Sequence, residues 1–311
     1  MKAAIINQHG SSRELQVADV PRPEPDTHDV LIRVAAAGVN PLDAHVREGG
    51  LPFNIVGGFP KILGAECAGT IEAVGLMVTD LQPGDRVVAS LGPVGGGYAE
   101  YAVAKAKNVA KLPDSIDFQQ GGGMPVGALT ALQGLRDKGR LRPNDRVLIH
   151  GAAGGVGTFA VQIAKILGAS ITATCSAHNV ALVRQLGADR VIDYNTTNFT
   201  REAERYDLVF DAVAKSSFEA CKPILTDEGT YVTTRPSPKQ VLEQVVSTFT
   251  KQKTAMVMFS FERTDMDGLL QHATEGHLRT LIDRTYSLHE VALAHDYIET
   301  GHVKGKLVIV P

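Results

Sequence analysis

The chain has 311 residues, 44% of them apolar, and its 31 basic and 34 acidic side chains leave a formal charge of −3. That length exceeds the size at which one hydrophobic core usually stops growing, so two domains are expected. Charges of both signs are mixed along the whole sequence with no basic run, which argues against nucleic acid as a partner.

In chain order, residues 1–6 carry too short an apolar core before His9 and Arg13 for a signal peptide, so a cytoplasmic location is expected. Short β-like runs follow at 30–34, 69–74 and 86–89, separated by Pro and Gly turns, and suggest a barrel-like all-β region. The glycine-rich run 92–97 reads as a flexible hairpin. From about residue 125 the rhythm changes. Strand-like segments at 146–150, 170–174, 191–193, 208–213 and 231–233 alternate with helical segments at 156–167 and 180–186, which predicts parallel βαβ units in a doubly wound sheet. The apolar stretch 147–175 is broken by five glycines and by Gln162 and Lys165, so it reads as strand, turn, helix and strand, and no membrane insertion is expected. A strand-like run at 254–258 and a helical stretch at 288–300 precede the apolar strand 307–310. The three cysteines, Cys67, Cys175 and Cys221, are too widely spaced for a disulfide framework or a structural zinc site, and a reducing compartment fits best.

Between the strand ending at His150 and the helix after it lies Gly151-x-x-Gly154-x-x-Gly157, a close variant of the dinucleotide fingerprint. One glycine permits the turn, a second lets the main chain approach a pyrophosphate, and the third lets the helix pack on its strand. The free N–H groups and dipole at the helix N-terminus favour phosphate. This places Ala153, Gly154, Gly155 and Val156 at the cofactor. An acid about 20 residues beyond the turn would select an unphosphorylated ribose. Here Ser176, His178 and Asn179 follow the second strand and no carboxylate occurs until Asp189, so NADPH is expected, with Tyr194 past the third strand as a further contact. Ala212 and Val213 should line the groove from the strand ends.

The ordered landmarks Ala37-Gly38-Val39-Asn40-Pro41-Leu42-Asp43, Leu63-Gly64-Ala65-Glu66-Cys67-Ala68-Gly69, Pro83-Gly84-Asp85-Arg86-Val87, Ala152-Ala153-Gly154-Gly155-Val156-Gly157 and Gly301-His302-Val303-Lys304-Gly305-Lys306 span almost the whole chain. Together they resemble the medium-chain dehydrogenase/reductase superfamily, and within it the zinc-independent quinone oxidoreductases of the zeta-crystallin type. The resemblance implies an α/β protein with a GroES-like, β-barrel-type catalytic domain from residues 1–123 and 265–311. A doubly wound, parallel-sheet Rossmann domain that binds NADP is implied for residues 124–264, and so is a homodimer joined through Rossmann edge strands near 254–258.

Zinc-dependent relatives bind metal through a Cys in the first landmark, a His before the Glu of the second, and a further ligand near the start of the Rossmann domain. The corresponding positions here are Asn40, Ala65 and residues 123–125, none a strong zinc ligand, so no metal is expected. Without a Lewis acid an alkoxide is poorly stabilised, whereas a quinone or activated enone spreads the charge itself. The resemblance therefore implies hydride transfer from NADPH to such an acceptor. An alkenal or enoyl double-bond reductase and an NADPH-binding redox sensor with little turnover are the alternatives. Asn40 is implied near the nicotinamide, with Asp43 and His45 as further catalytic candidates. His45 stands where those relatives often carry Tyr, and Asp43 with Arg47 could instead form a loop ion pair. Thr130, Phe259, Ser260 and Lys304 complete the candidate cofactor contacts. Cys67 is expected in the core.

Overall fold

In the computed structural model, residues 1–51, 58–235 and 238–311 are described. The chain divides into two compact units, Met1–Val126 with Phe261–Pro311, and Gly127–Ser260.

The first unit is mainly antiparallel. Strands β1 (Lys2–Ile6), β2 (Gln16–Asp19), β3 (Asp29–Val39), β4 (Lys61–Ile62), β5 (Glu66–Val74), β6 (Arg86–Ser90), β7 (Tyr101–Lys105) and β8 (Val109–Lys111) precede the second unit. β1 forms a small sheet, order β2-β1-β4. The larger sheet is built on β3, whose burial on nearly every residue reflects its apolar run from Val30 to Val39. β3 pairs with both β5 and β7. The core beneath includes Ile32, Val39, Leu63, Cys67, Tyr98 and Leu307. The C-terminal residues join this unit through β15 (Ile282–Ser287) and β16 (Lys306–Val310), with β16 antiparallel to β3.

The second unit is an all-parallel sheet in the order β11-β10-β9-β12-β13-β14, built from β9 (Arg146–His150), β10 (Ser170–Cys175), β11 (Arg190–Asp193), β12 (Tyr206–Asp211), β13 (Leu225–Thr233) and β14 (Lys253–Met256). The order reverses between β10 and β12 on either side of β9, which is the switch point where such sheets bind ligands beyond the strand ends. The helix Gly155–Ile166 covers the sheet, its buried face including Phe159, Ala160 and Ile163. The fold is thus α/β, with a GroES-like unit and a Rossmann-like unit. No helix among the described residues is long and apolar enough to cross a membrane.

Three expectations are corrected. Residues 41–47 are a helix, Pro41–Arg47, because Asn40 holds extended N-cap geometry, Pro41 pre-sets the first helical turn and the Asp43 carboxylate accepts the Asn40 N–H. Asp43 and Arg47 do not pair. Arg47 is fully buried and donates to the Gly10 carbonyl, His295 and Glu299, while Asp43 is held elsewhere. The run 92–97 is no free hairpin, since the N–H groups of Gly96 and Gly97 donate to the carbonyls of Leu63 and Gly64, following a short helical turn over Gly92–Val94.

Candidate functional site

The first candidate constellation belongs to the antiparallel unit and comes from strands far apart in sequence. β16 pairs Leu307 with Val39, so Lys306 arrives beside Asn40. β5 pairs Cys67 with Ala37, which brings Glu66 to the same place. A side chain at Gly38 would lie 2.1 Å from Glu66 Oε1, so the landmark glycine makes room for this carboxylate. Lys306 Nζ donates to Asn40 Oδ1 at 2.5 Å and to Glu66 Oε1 at 2.9 Å, and Asn40 Nδ2 donates to Glu66 Oε1 at 2.8 Å. Glu66 Oε2 accepts the Val126 N–H at 2.6 Å. Lys306 and Glu66 are essentially inaccessible, 3% and 0% exposed, so their ion pair is worth keeping only because further hydrogen bonds satisfy both groups.

Asp43 extends the network. Its carboxylate accepts the Asn40 N–H, the Ala65 N–H and the Tyr98 hydroxyl. Burial pushes the Asp43 carboxyl up to about 6 against these donors, and raises the Tyr98 hydroxyl well above its ordinary value. The amide of Asn40 is therefore oriented by charge on both sides. His45 shares the helix but not the network. It is half-buried, its ring lies where a side chain on Gly50 would be, and no hydrogen bond engages that ring among the described residues, although its carbonyl accepts the Gly50 N–H. Lys304 is exposed, with its N–H on Asp283. Cys67 is buried in the core, where burial pushes its thiol up to about 12 and leaves it protonated and inert.

The second constellation is the glycine turn of the parallel unit. Gly151 adopts φ +80°, and its N–H donates to Thr174 Oγ1 at 3.3 Å. A Cβ on Gly157 would lie 2.1 Å from the Gly151 carbonyl oxygen, so this glycine is required by helix-to-turn packing. Gly154 differs. Its φ of −84° suits any residue and a Cβ there would meet only one atom, at 3.6 Å, so protein packing does not explain the glycine. It leaves open space in front of the N–H groups of the helix Gly155–Ile166, the approach that a diphosphate needs. Ala153 is nearly fully buried beside Gly154, and Val156 is half-buried in the first helical turn.

Past β10, Asn179 Nδ2 donates to Ser176 Oγ at 3.2 Å, while Asn179 Oδ1 is buried with no partner among the described residues, an acceptor suited to a ribose hydroxyl. His178 is exposed beside them. Asp193 lies in register with Cys175 at the end of β11, a carboxylate nearer to the β10 end than its sequence position suggests. Its Oδ1 is committed to the Asn195 N–H and side-chain amide. Tyr194, 44% exposed, flanks an open cavity of about 420 Å³ that His150, Thr197, Phe199 and Lys215 also line. Lys215 is not among the expected site residues and His150 is expected only as a strand end; for Lys215 the available signal was a basic residue shortly after the end of β12. Burial lowers the His150 pKa and Lys215 lowers it further, while the buried Asp211 opposes them. Ala212 N–H donates to the His150 carbonyl, and Val213 fills the space over Gly151. Thr130 is buried in the helix Pro125–Gln133. Ser260, preceded by the half-buried Phe259, is pinned by Gln133, which accepts its N–H at 3.0 Å and donates to its carbonyl at 2.9 Å.

Comparison with known proteins gives these arrangements a family. The model described as "Alcohol dehydrogenase GroES-like domain" matches residues 26–114, and that described as "Zinc-binding dehydrogenase" matches residues 186–309. The chain is 33% identical to the chloroplastic quinone oxidoreductase QR1 of Triphysaria versicolor over 97% of its own length and 95% of that protein. The solved structure of the quinone oxidoreductase from Coxiella burnetii superposes with a TM-score of 0.92 at 31% identity, covering 100% of this chain and 99% of that one. An NAD-dependent alcohol dehydrogenase structure follows the same fold, with a TM-score of 0.89, 28% identity and complete coverage of both chains. Similarity of this extent, over a fold that implies a nicotinamide cofactor, establishes that the chain belongs to the quinone oxidoreductases of the medium-chain dehydrogenase/reductase superfamily and is an oxidoreductase.

Proposed function

We propose that this protein is a zinc-independent reductase that uses NADPH to reduce a quinone or an activated enone. The observation that carries the reading is the donor set around Asn40. Neither Asn40 nor Ala65 offers a thiolate or imidazole, and the Glu66 charge is compensated by the Lys306 ammonium instead of a metal. A cation already fixed there by Asn40 and Glu66 opposes a second one. For a quinone the balanced reaction is quinone plus NADPH plus a proton giving hydroquinone and NADP⁺, and bound NADPH supplies the hydride.

The chain's own groups bind, orient and polarise. The open approach at Gly154 serves the cofactor diphosphate, and Ala153, Gly155 and Val156 complete that turn. Ser176, His178, Tyr194 and Lys215 favour a 2′-phosphate, with Asn179 on the ribose. Thr130, Ala212, Val213, Phe259 and Ser260 serve the remainder of the cofactor, and Lys304 its diphosphate. Asn40 has one Nδ2 hydrogen beyond that given to Glu66, and this N–H is the donor for the acceptor's oxygen as negative charge develops. Asp43 acts as a positioning residue through the Asn40 main chain. His45, whose ring makes no hydrogen bond among the described residues, is the proton donor to test.

A homodimer through β14 is part of the proposal. β14 is the sheet edge, and Val245, Val246, Phe249 and Met258 are exposed nearby, an apolar surface of the kind that subunit interfaces cover. Product analysis after incubation with NADPH and a panel of quinones, enones and alkenals tests the function. Hydroquinone or saturated carbonyl products support it. Tight NADPH binding without turnover of any acceptor contradicts it in favour of a sensor.

A further inference from the structure

The end of the helix Arg263–Thr274 carries a group of side chains that neither the fold nor the proposed reduction uses. His272, Glu275 and His277 place one ligating atom each within 4.8 Å of the others, the sole group of this kind among the described residues. The backbone holds them there. The N–H of Gly276 donates to the Ala273 carbonyl and the N–H of His277 to the His272 carbonyl, with Gly276 at φ +78°, the paired bonds of a helix terminated by a left-handed residue. Leu278, 2% exposed, anchors the next position in the interior. His277 is thereby folded back over the last helical turn, and the two imidazole centroids lie 6.0 Å apart.

The two carboxylate–imidazole separations are close to the spacing of ligands around one ion. Glu275 Oε2 lies 3.3 Å from His277 Nδ1 and 3.7 Å from His272 Nδ1. Good hydrogen bonds to nitrogen are shorter, about 2.9 Å. Two ligands about 2.1 Å from one tetrahedral ion are separated by about 3.4 Å. His272 Nδ1 is shielded from solvent and has no hydrogen-bond partner among the described residues, so the group leaves a buried ring nitrogen unsatisfied when no ion is bound. Glu275 Oε1 accepts from Gln271 Nε2 at 2.9 Å, an outer bond that orients the carboxylate and leaves Oε2 for the two imidazoles.

We propose that His272, Glu275 and His277 form a peripheral site for one divalent transition-metal ion, zinc being the natural occupant, with a water at the fourth position. Two neutral imidazoles and a carboxylate suit zinc, cobalt, nickel or copper and are a poor set for magnesium or calcium. The ion ties the last turn of the helix to the segment after it. The inference does not rest on the proposed reduction. It has a practical consequence, because zinc recovered with the purified protein would come from this site and would say nothing about metal at Asn40.

The test uses untagged full-length protein, stripped with chelator and desalted, then titrated with zinc by calorimetry and with cobalt by visible absorption at neutral pH. One ion per chain is expected, with the strong visible band of tetrahedral cobalt and no thiolate charge-transfer band, since burial keeps Cys67, Cys175 and Cys221 as thiols. His277→Ala should weaken binding at least about tenfold, and His272→Ala with His277→Ala should abolish it. Circular dichroism and NADPH oxidation, measured alongside, should be unchanged in both variants. Absence of stoichiometric binding by the wild type, or its retention by the double variant, overturns the proposal. Loss of NADPH oxidation in every form would count against the reductase reading alone.

Discussion

Replacing Lys306 with Met removes the positive member of a pair whose partner, Glu66, has no solvent access. The methionine fills much of the space, so the dominant loss is electrostatic. Glu66 keeps the Asn40 amide and the Val126 N–H, but its charge is no longer neutralised. Breaking a buried pair in this way costs about 3–5 kcal/mol. For a folding unit of this size each kcal/mol lowers the melting temperature by about 2–4 °C, so a fall on the order of 10 °C is expected in calorimetry. The double variant Glu66→Gln with Lys306→Met removes both charges and retains an acceptor for Val126. It should recover at least about half of the loss, about 2 kcal/mol relative to Lys306→Met. A Lys306→Met protein within about 1 kcal/mol of wild type, or a double variant no more stable than the single, would refute the assignment of Lys306 and Glu66 as a mutually dependent pair.

Three further outcomes follow from the same geometry. Gly157→Ala would place a Cβ 2.1 Å from the Gly151 carbonyl oxygen, so NADPH affinity measured by fluorescence titration should fall at least about tenfold. Gly154→Ala meets no protein atom closer than 3.6 Å, so it should melt at nearly the wild-type temperature yet bind NADPH poorly, the signature of a glycine kept for a ligand. His295 is buried, accepts from Arg47 Nη1 at 3.0 Å and is lowered to about 3 by burial, with Arg47 adding to the effect. Its neutral form is the folded form, so its contribution is fully present above the unfolded value near 6.5 and is lost as pH falls toward 3, a change on the order of 5 kcal/mol. Asp43 has the opposite sign, because its raised value favours the folded state below about 4 and loses that contribution as pH rises through about 6. Denaturation midpoints from pH 7 to pH 4 should therefore fall less steeply for His295→Asn and more steeply for Asp43→Asn than for wild type.

Much of the parallel unit is legible locally. The strand Arg146–His150 has the same bounds in sequence and structure, and the glycine turn marks the helix after it, because strand, turn and helix signals are short-range. β13 begins at Leu225, well before the apolar run at 231–233, because Leu225 pairs with Tyr206; Asp227, Glu228 and Gly229 then fall in an irregularity of the register, and pairing resumes at Thr230 opposite Leu208. The helix Pro41–Arg47 had a readable start in Asn40, Pro41 and Asp43, but seven residues rich in polar groups also suit a loop. The charge network was hidden for a different reason. Lys306 lies 240 positions from Glu66 and is brought there by the pairing of β16 with β3, which no local pattern encodes. Asn40 stood out because its position lacks a metal ligand; the groups that hold its amide appear only when the strands are assembled. Asp193 likewise reaches Cys175 through strand register, so the spacing of carboxylates along the chain understated the negative charge near Ser176.

Metal-free reduction by NADPH is measured as kcat/KM for a small quinone with NADPH and with NADH, using protein stripped by chelator and carrying the His272→Ala and His277→Ala substitutions. Full turnover with a clear preference for NADPH is the expected result. Turnover that disappears on stripping and returns with zinc, or equal efficiency with the two cofactors, would contradict it.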